Sequence, residues 1–168
     1  MGALNRKGKK WGMFMAKTIL LIDGNSLIHR AYYAVPPLST AQGEPTNGVY
    51  GFLLMLFRLI DDYSPDRIFV AFDVAAPTFR HKQYEQYKAT RSATPEDLRP
   101  QLNTLKEVLD ALGVARLELE GYEADDVLGT AARLGERAGH DVFVVTGDRD
   151  ALQLISPQVK VILTRRGI

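Results

Sequence analysis

Short apolar runs that end at an aspartate restrict most strongly what this chain can fold into. Thr18-Ile-Leu-Leu-Ile22 runs into Asp23-Gly24-Asn25-Ser26, and Arg67-Ile-Phe-Val-Ala-Phe72 runs into Asp73. A third run, Asp141-Val-Phe-Val-Val-Thr146, is followed by Gly147-Asp148-Arg149-Asp150. Consecutive apolar residues need cover on both faces, which is the condition of a central strand in a parallel sheet. Segments of helical period lie between the runs, so the expected class is α/β, a mostly parallel central sheet flanked by helices on both faces.

The connecting helices can be placed from their caps and periods. A short helix through Leu27, Ile28 and Ala31 follows the first strand and ends before Val35-Pro36-Pro37. Asn47 is expected to cap the next helix, in which Val49, Tyr50, Phe52, Leu53, Leu56, Phe57 and Ile60 are apolar on nearly every side and predict near-complete burial. Thr94-Pro95-Glu96-Asp97 reads as a helix start, with Thr94 as cap and Pro95 at the first helical position, before Leu98, Leu102, Leu105, Leu109 and Leu112 and a stop at Gly113. A strand over Val114–Leu119 and a helix over Tyr122–Ala138, burying Ala124, Val127, Leu128, Ala131 and Leu134, come next. A short helix over Asp148–Leu154 and a strand over Val159–Leu163 complete the readable elements.

Composition narrows the chemistry. The 168 residues fit one domain, and 46% apolar residues suffice for a core. Cysteine is absent, and His29, His81 and His140 share no ligand spacing, so any metal should be held by oxygen. The formal charge of +1 hides an asymmetry. Arg6, Lys7, Lys9, Lys10 and Lys17 make the start basic with no acid, and residues 1–16 read as a basic N-terminal tail before a domain over 17–168. From Thr18 onward 16 basic residues face 20 acidic ones. No run of about 18 uncharged apolar residues occurs, so a membrane span is not expected, and Asp23-Gly24-Asn25 stands where a signal peptide would need a cleavage site. A cytoplasmic protein is the expectation.

In a parallel sheet every strand ends on the same rim, which collects Asp23, Asp73, Asp148 and Asp150. The helix beginning near Tyr122 follows a strand, so Glu123, Asp125 and Asp126 start on that rim as well. Crowded carboxylates push one another toward protonation unless a cation sits among them. An all-oxygen set suits Mg²⁺ or Mn²⁺. Two such ions about 4 Å apart are the usual arrangement for hydrolysis at phosphorus. The stretch from Pro77 to Arg91 is basic and aromatic without apolar periodicity, and its Lys88 and Arg91 could meet a phosphate while Tyr84 or Tyr87 stacks on a base. Each residue also has a plainer reading: Asp148 as a helix cap, Glu123, Asp125 and Asp126 as partners of a helix dipole, the basic stretch as a solvated loop. Neither glycine phosphate-loop pattern is present, so no nucleotide cofactor is implied.

Taken together, Ile22-Asp-Gly-Asn-Ser26, Val70-Ala-Phe-Asp73, Phe79-Arg-His-Lys82, Tyr87-Lys-Ala-Thr-Arg91, Thr94-Pro-Glu-Asp-Leu98, Gly121-Tyr-Glu-Ala-Asp-Asp126 and Thr146-Gly-Asp-Arg-Asp-Ala-Leu-Gln-Leu154 resemble the 5′-3′ exonuclease domain of bacterial DNA polymerase I, in the flap endonuclease family with its PIN-like fold. The resemblance runs from about Lys17 to Ile168. It implies a metal-dependent 5′-3′ exonuclease and structure-specific flap endonuclease acting on flapped or branched DNA and on RNA–DNA primer junctions. Asp23, Asp73 and Asp125 match acids of a first ion, Glu123, Asp148 and Asp150 acids nearer a second, and Asp126 a further bacterial acid. Lys88 and Arg91 match the catalytic basic pair at the scissile phosphate, with Arg80 and Lys82 at nearby phosphate positions. The family continues into another acidic pair and a helix-turn-helix element absent here. The resemblance therefore implies an incomplete domain, weakened second-metal ligation and a partner in a polymerase domain or a C-terminal nuclease half.

Three rivals remain open on the residues. A haloacid-dehalogenase-like phosphatase would need an acid where Asn25 stands. A PIN-type ribonuclease would use a similar acid cluster and prefer single-stranded RNA. A non-catalytic DNA-binding remnant would bind without cleaving.

Overall fold

The computed structural model describes residues 17–74, 76, 78–80 and 94–164. The basic tail 1–16, Lys82, Tyr84, Tyr87, Lys88, Arg91 and residues 165–168 lie outside them. The elements in chain order are β1 (Thr18–Asp23), α1 (Gly24–Ala34), α2 (Asn47–Tyr63), β2 (Arg67–Ala71), α3 (Leu98–Ala111), β3 (Ala115–Leu117), α4 (Ala124–Arg137), β4 (Asp141–Thr146), a 3₁₀ helix (Arg149–Leu154) and β5 (Val159–Leu163).

The five strands form one parallel sheet in the order β3-β2-β1-β4-β5. β1 is central, its Ile22 paired with Val70 on one side and Val145 on the other. Strand alternation sends Leu20 and Ile22 to the face covered by α1, α2 and α3, where Phe52, Leu56, Leu105 and Leu109 are buried. Leu21 turns to the opposite face, with Val142, Val144 and the Ala124, Leu128 and Ala132 stripe of α4. Each fully buried aliphatic side chain contributes about 1.5–3 kcal/mol. Helices on both faces leave the carboxyl ends of the strands as the open edge, and the strand order reverses between β1 and β4.

Several local expectations change in the structure. Thr94-Pro95 does not open α3: Leu98 N and Arg99 N donate to Pro95 O at 3.1 and 3.3 Å in a preceding turn, and the helix begins at Leu98. Asn47 does not cap α2 either. Its amide reaches back to Tyr32 O at 3.0 Å, and the N-terminus is served from α3, where Gln101 Oε1 accepts from Gly48 N at 2.7 Å and Val49 N at 3.3 Å. The outer side of α2 is not buried, because Tyr50, Leu54 and Phe57 are exposed at i, i+4 and i+7. The strand expected over Val114–Leu119 shortens to Ala115–Leu117, an edge paired only with β2. In α4, Leu134 is 60% exposed and Ala132 takes the buried position.

Candidate metal and phosphodiester site

Each rim acid is positioned by the element that precedes or follows it. Asp23 closes β1 and caps α1, its Oδ1 accepting from Ser26 N at 2.9 Å. Its Oδ2 accepts from Thr146 Oγ1 at 2.8 Å, so the ends of β1 and β4 are joined through a buried carboxylate. Thr146 Oγ1 also accepts from Asp148 N at 3.1 Å, fixing the backbone of the acid beyond β4. Gly147 passes close by, its N donating to Ser26 Oγ at 2.8 Å.

Asp73 lies two residues beyond β2 and bridges in the other direction. Its Oδ1 accepts from Ala124 N at 2.7 Å, an N-terminal N–H of α4, and its Oδ2 accepts from Asn25 Nδ2 at 3.2 Å. A carboxylate from one strand thus fixes the start of the helix that carries three more. Burial holds the Asp23 carboxyl above its ordinary range, and the charges of Asp73 and Asp148 push the same way, against the Ser26 N–H and the Thr146 hydroxyl.

The remaining acids divide. Glu123 is buried at the N-cap of α4, and Asp126 accepts from Glu123 N at 3.1 Å. Arg80 Nη1 and Nη2 hold both oxygens of Asp126 at 2.6 and 2.7 Å, and Nη1 lies 3.5 Å from Glu123 Oε2. Arg80, expected at a phosphate, therefore faces acids. Asp125 is exposed in the first turn of α4. Asp148 and Asp150 are exposed beyond β4, where Asp148 Oδ1 accepts from Asp150 N at 2.9 Å and caps the 3₁₀ helix. Among the described residues no three acids stand close enough together to hold one ion as they are. The donor chemistry nevertheless fits a hard divalent cation: oxygen only, two buried carboxylates in Asp23 and Glu123, and at Asp23 a proton affinity raised by burial and by two neighbouring charges. Sequence reasoning missed Thr146 and Asn25 as the groups that orient Asp23 and Asp73: both lie within the motifs that carry the resemblance, but neither is charged and their partners are set by the fold. Among the described residues no helix is long and apolar enough to cross a membrane.

Comparison with known proteins shows the family and the fold. The family described as 5′-3′ exonuclease, N-terminal resolvase-like domain matches residues 18–167. DNA polymerase I of Mycobacterium tuberculosis is 50% identical over 153 residues, covering 90% of this chain and 17% of that protein. The thermostable DNA polymerase I of Thermus thermophilus is 47% identical over 144 residues, covering 86% and 17%. The chain thus spans a small part of the length of the relatives it matches. Among solved structures, the zinc-bound 5′-exonuclease of bacteriophage T5 superposes with a TM-score of 0.67 at 21% identity, over 88% of this chain and 55% of that one. A T5 flap endonuclease in complex with DNA and metal ions gives 0.65 at 19%, over 88% and 55%. These likenesses establish the fold as the PIN-like 5′-nuclease core.

Proposed function

Since this chain belongs to the 5′-3′ exonuclease family, as its N-terminal resolvase-like domain, we propose that it carries the ion-binding, phosphodiester-hydrolysing rim of a structure-specific 5′ nuclease acting on flapped or branched DNA and on RNA–DNA primer junctions. The observation that carries the reading is the interlock of acids from separate segments, Asp23 bonded to the end of β4 and Asp73 to the start of α4. Asp23, Asp73, Asp125, Glu123, Asp148 and Asp150 would hold Mg²⁺ or Mn²⁺. Such ions, in a pair, lower the pKa of a bound water and stabilise the leaving oxygen.

The chain's own residues then have separable tasks. Asp23 and Asp73 are rigid ligands, each with both oxygens directed by hydrogen bonds. Asp125, Asp148 and Asp150 are exposed at the same rim and would complete the set. Asp126, held by Arg80, positions the helix start and would be the further acid of the metal-binding set. Lys88 and Arg91 would bind the scissile phosphate, with Lys82, Tyr84 and Tyr87 contributing further strand contacts. Asn25 donates to Asp73, the work of an orienting amide where a haloacid-dehalogenase-like phosphatase would need an acid.

The test is cleavage of a 5′-end-labelled flap duplex with Mg²⁺ or Mn²⁺, beside EDTA and Asp148→Ala controls. Metal-dependent release of the flap, lost in the variant, is expected. A folded chain that releases nothing, or that cuts single-stranded RNA in preference, overturns the reading.

A further inference from the structure

Two exposed aromatic side chains flank the acids. Tyr122 directly precedes Glu123, and Phe79 directly precedes Arg80. Their ring centroids are 5.8 Å apart and their planes are inclined by 58°. Phe79 is 40% exposed, Tyr122 48% and the neighbouring Leu119 52%, whereas Phe52 and Phe72 of the same domain are fully buried. This patch belongs to neither apolar core.

The patch is fixed from beneath. Phe79 N donates to Gly121 O at 3.0 Å, and Tyr122 N donates to Leu119 O at 3.2 Å. Gly121 makes that turn at φ 84°, a conformation that a side chain would strain. The Arg80 guanidinium lies 4.6 Å from the Phe79 centroid while its N–H groups hold Asp126. The rings are therefore tied through Arg80 and Glu123 to the same helix start that carries the acids. A rigid apolar and aromatic surface beside a carboxylate rim suits a planar ring whose attached phosphate reaches the ions, and an unpaired nucleobase has that form.

We propose that the Tyr122 ring, braced by the inclined Phe79 ring that carries Arg80 and flanked in the chain turn by Leu119, forms a stacking platform for an unpaired nucleobase of the strand whose phosphodiester enters the acidic rim. This rests on the nuclease reading and adds a strand-positioning site built from residues other than the Tyr84 and Tyr87 that the sequence suggests for stacking. Stacking of this kind accepts any base, because every base offers a π-face, so the platform selects unpaired from paired nucleotides and does not select sequence.

The experiment uses the full chain and a flap duplex carrying 2-aminopurine in the single strand beside the junction, in EDTA so that nothing is cleaved. A distal fluorophore reports affinity and 2-aminopurine quenching reports stacking. The wild type should quench. Tyr122→Ala should relieve the quench and weaken binding by about tenfold, while Tyr122→Trp should retain both. With an abasic nucleotide in place of 2-aminopurine, Tyr122→Ala should lose no affinity. Unchanged quenching in both Tyr122→Ala and Phe79→Ala overturns the platform, as does an equal affinity loss on the abasic strand. If Mg²⁺-dependent cleavage persists alongside either result, the platform falls and the nuclease reading stands. A folded wild type that neither binds the flap in EDTA nor cleaves it with Mg²⁺ overturns both.

Discussion

Replacing Thr146 by valine tests the joint between β1 and β4 most directly. The residue is 1% exposed, and its hydroxyl donates at 2.8 Å to an Asp23 carboxylate that is itself 6% exposed. Valine fills nearly the same space, so no cavity opens, but a methyl then faces the Asp23 oxygen and Asp148 N loses its acceptor. A hydrogen bond to a charged group contributes about 1.5–3 kcal/mol. We expect Thr146→Val to lose about 2 kcal/mol at neutral pH, most of it from the charged bond. For a domain of this size that lowers Tm by about 4–8 °C.

The pH dependence has a definite sign. Burial raises the folded Asp23 pKa above its ordinary value of 3.8, and the Thr146 hydroxyl opposes that rise. With a raised folded pKa, the stability linked to this group is complete below the unfolded value and is lost as pH rises through the folded one. Removing the hydroxyl moves the folded value further up and extends the loss to higher pH. The gap between wild type and Thr146→Val should therefore be smallest near about pH 4 and widest above the raised value. Urea unfolding in EDTA across that range reads it directly. Thr146→Ser keeps the hydroxyl and should cost only about 1 kcal/mol, without pH dependence, for the lost methyl. A gap that stays constant with pH, or a serine variant less stable than the valine one, refutes the reasoning.

Two further substitutions test how the frame is held. Gln101→Leu should cost about 3 kcal/mol in urea unfolding, because Gly48 N and Val49 N lose their buried acceptor and Asn47 Oδ1 loses its 3.1 Å donor; a loss under about 1 kcal/mol would mean that α2 is not capped from α3. Gly24→Ala should cost about 1–3 kcal/mol, since a Cβ there would collide with the Phe72 ring. Phe72→Leu in the same chain should recover part of that loss, and strict additivity of the two changes would rule out the clash.

The strands are readable because short, β-branched apolar runs bounded by turn residues such as Asp23-Gly24-Asn25 and Gly147-Asp148 suit a buried parallel strand, whereas the apolar run of α2 is too long for one. The start of α3 departs from its local signature for an equally physical reason. Thr94-Pro95-Glu96-Asp97 has the chemistry of a cap, but the Asp97 carboxylate accepts from Tyr32 Oη at 2.8 Å, an interaction set 65 residues away in sequence. Likewise Asn47 is a good local cap that the backbone of α1 takes over, and Gln101, unremarkable in sequence, becomes the cap of another helix. Burial of α2 was overestimated because its composition does not say how many neighbours reach it: α1 and α3 cover one side, and Tyr50, Leu54 and Phe57 remain outside.

Which acids share the rim follows from the pattern of residue types alone, because parallel strands all end on one side and Asp23, Asp73 and Asp148 follow three of them. The same pattern determines that only oxygen is on offer to an ion. The tertiary structure decided what each acid does there. Asp23 is buried against Thr146, Asp73 is committed to the first turn of α4, and Asp126 is held by Arg80. These partners lie between 46 and 123 residues apart along the chain. A hydrogen bond or an ion pair depends on distances of about 3 Å that only packing of the sheet and its helices can set, so the pattern of residue types names the participants and the fold assigns their partners.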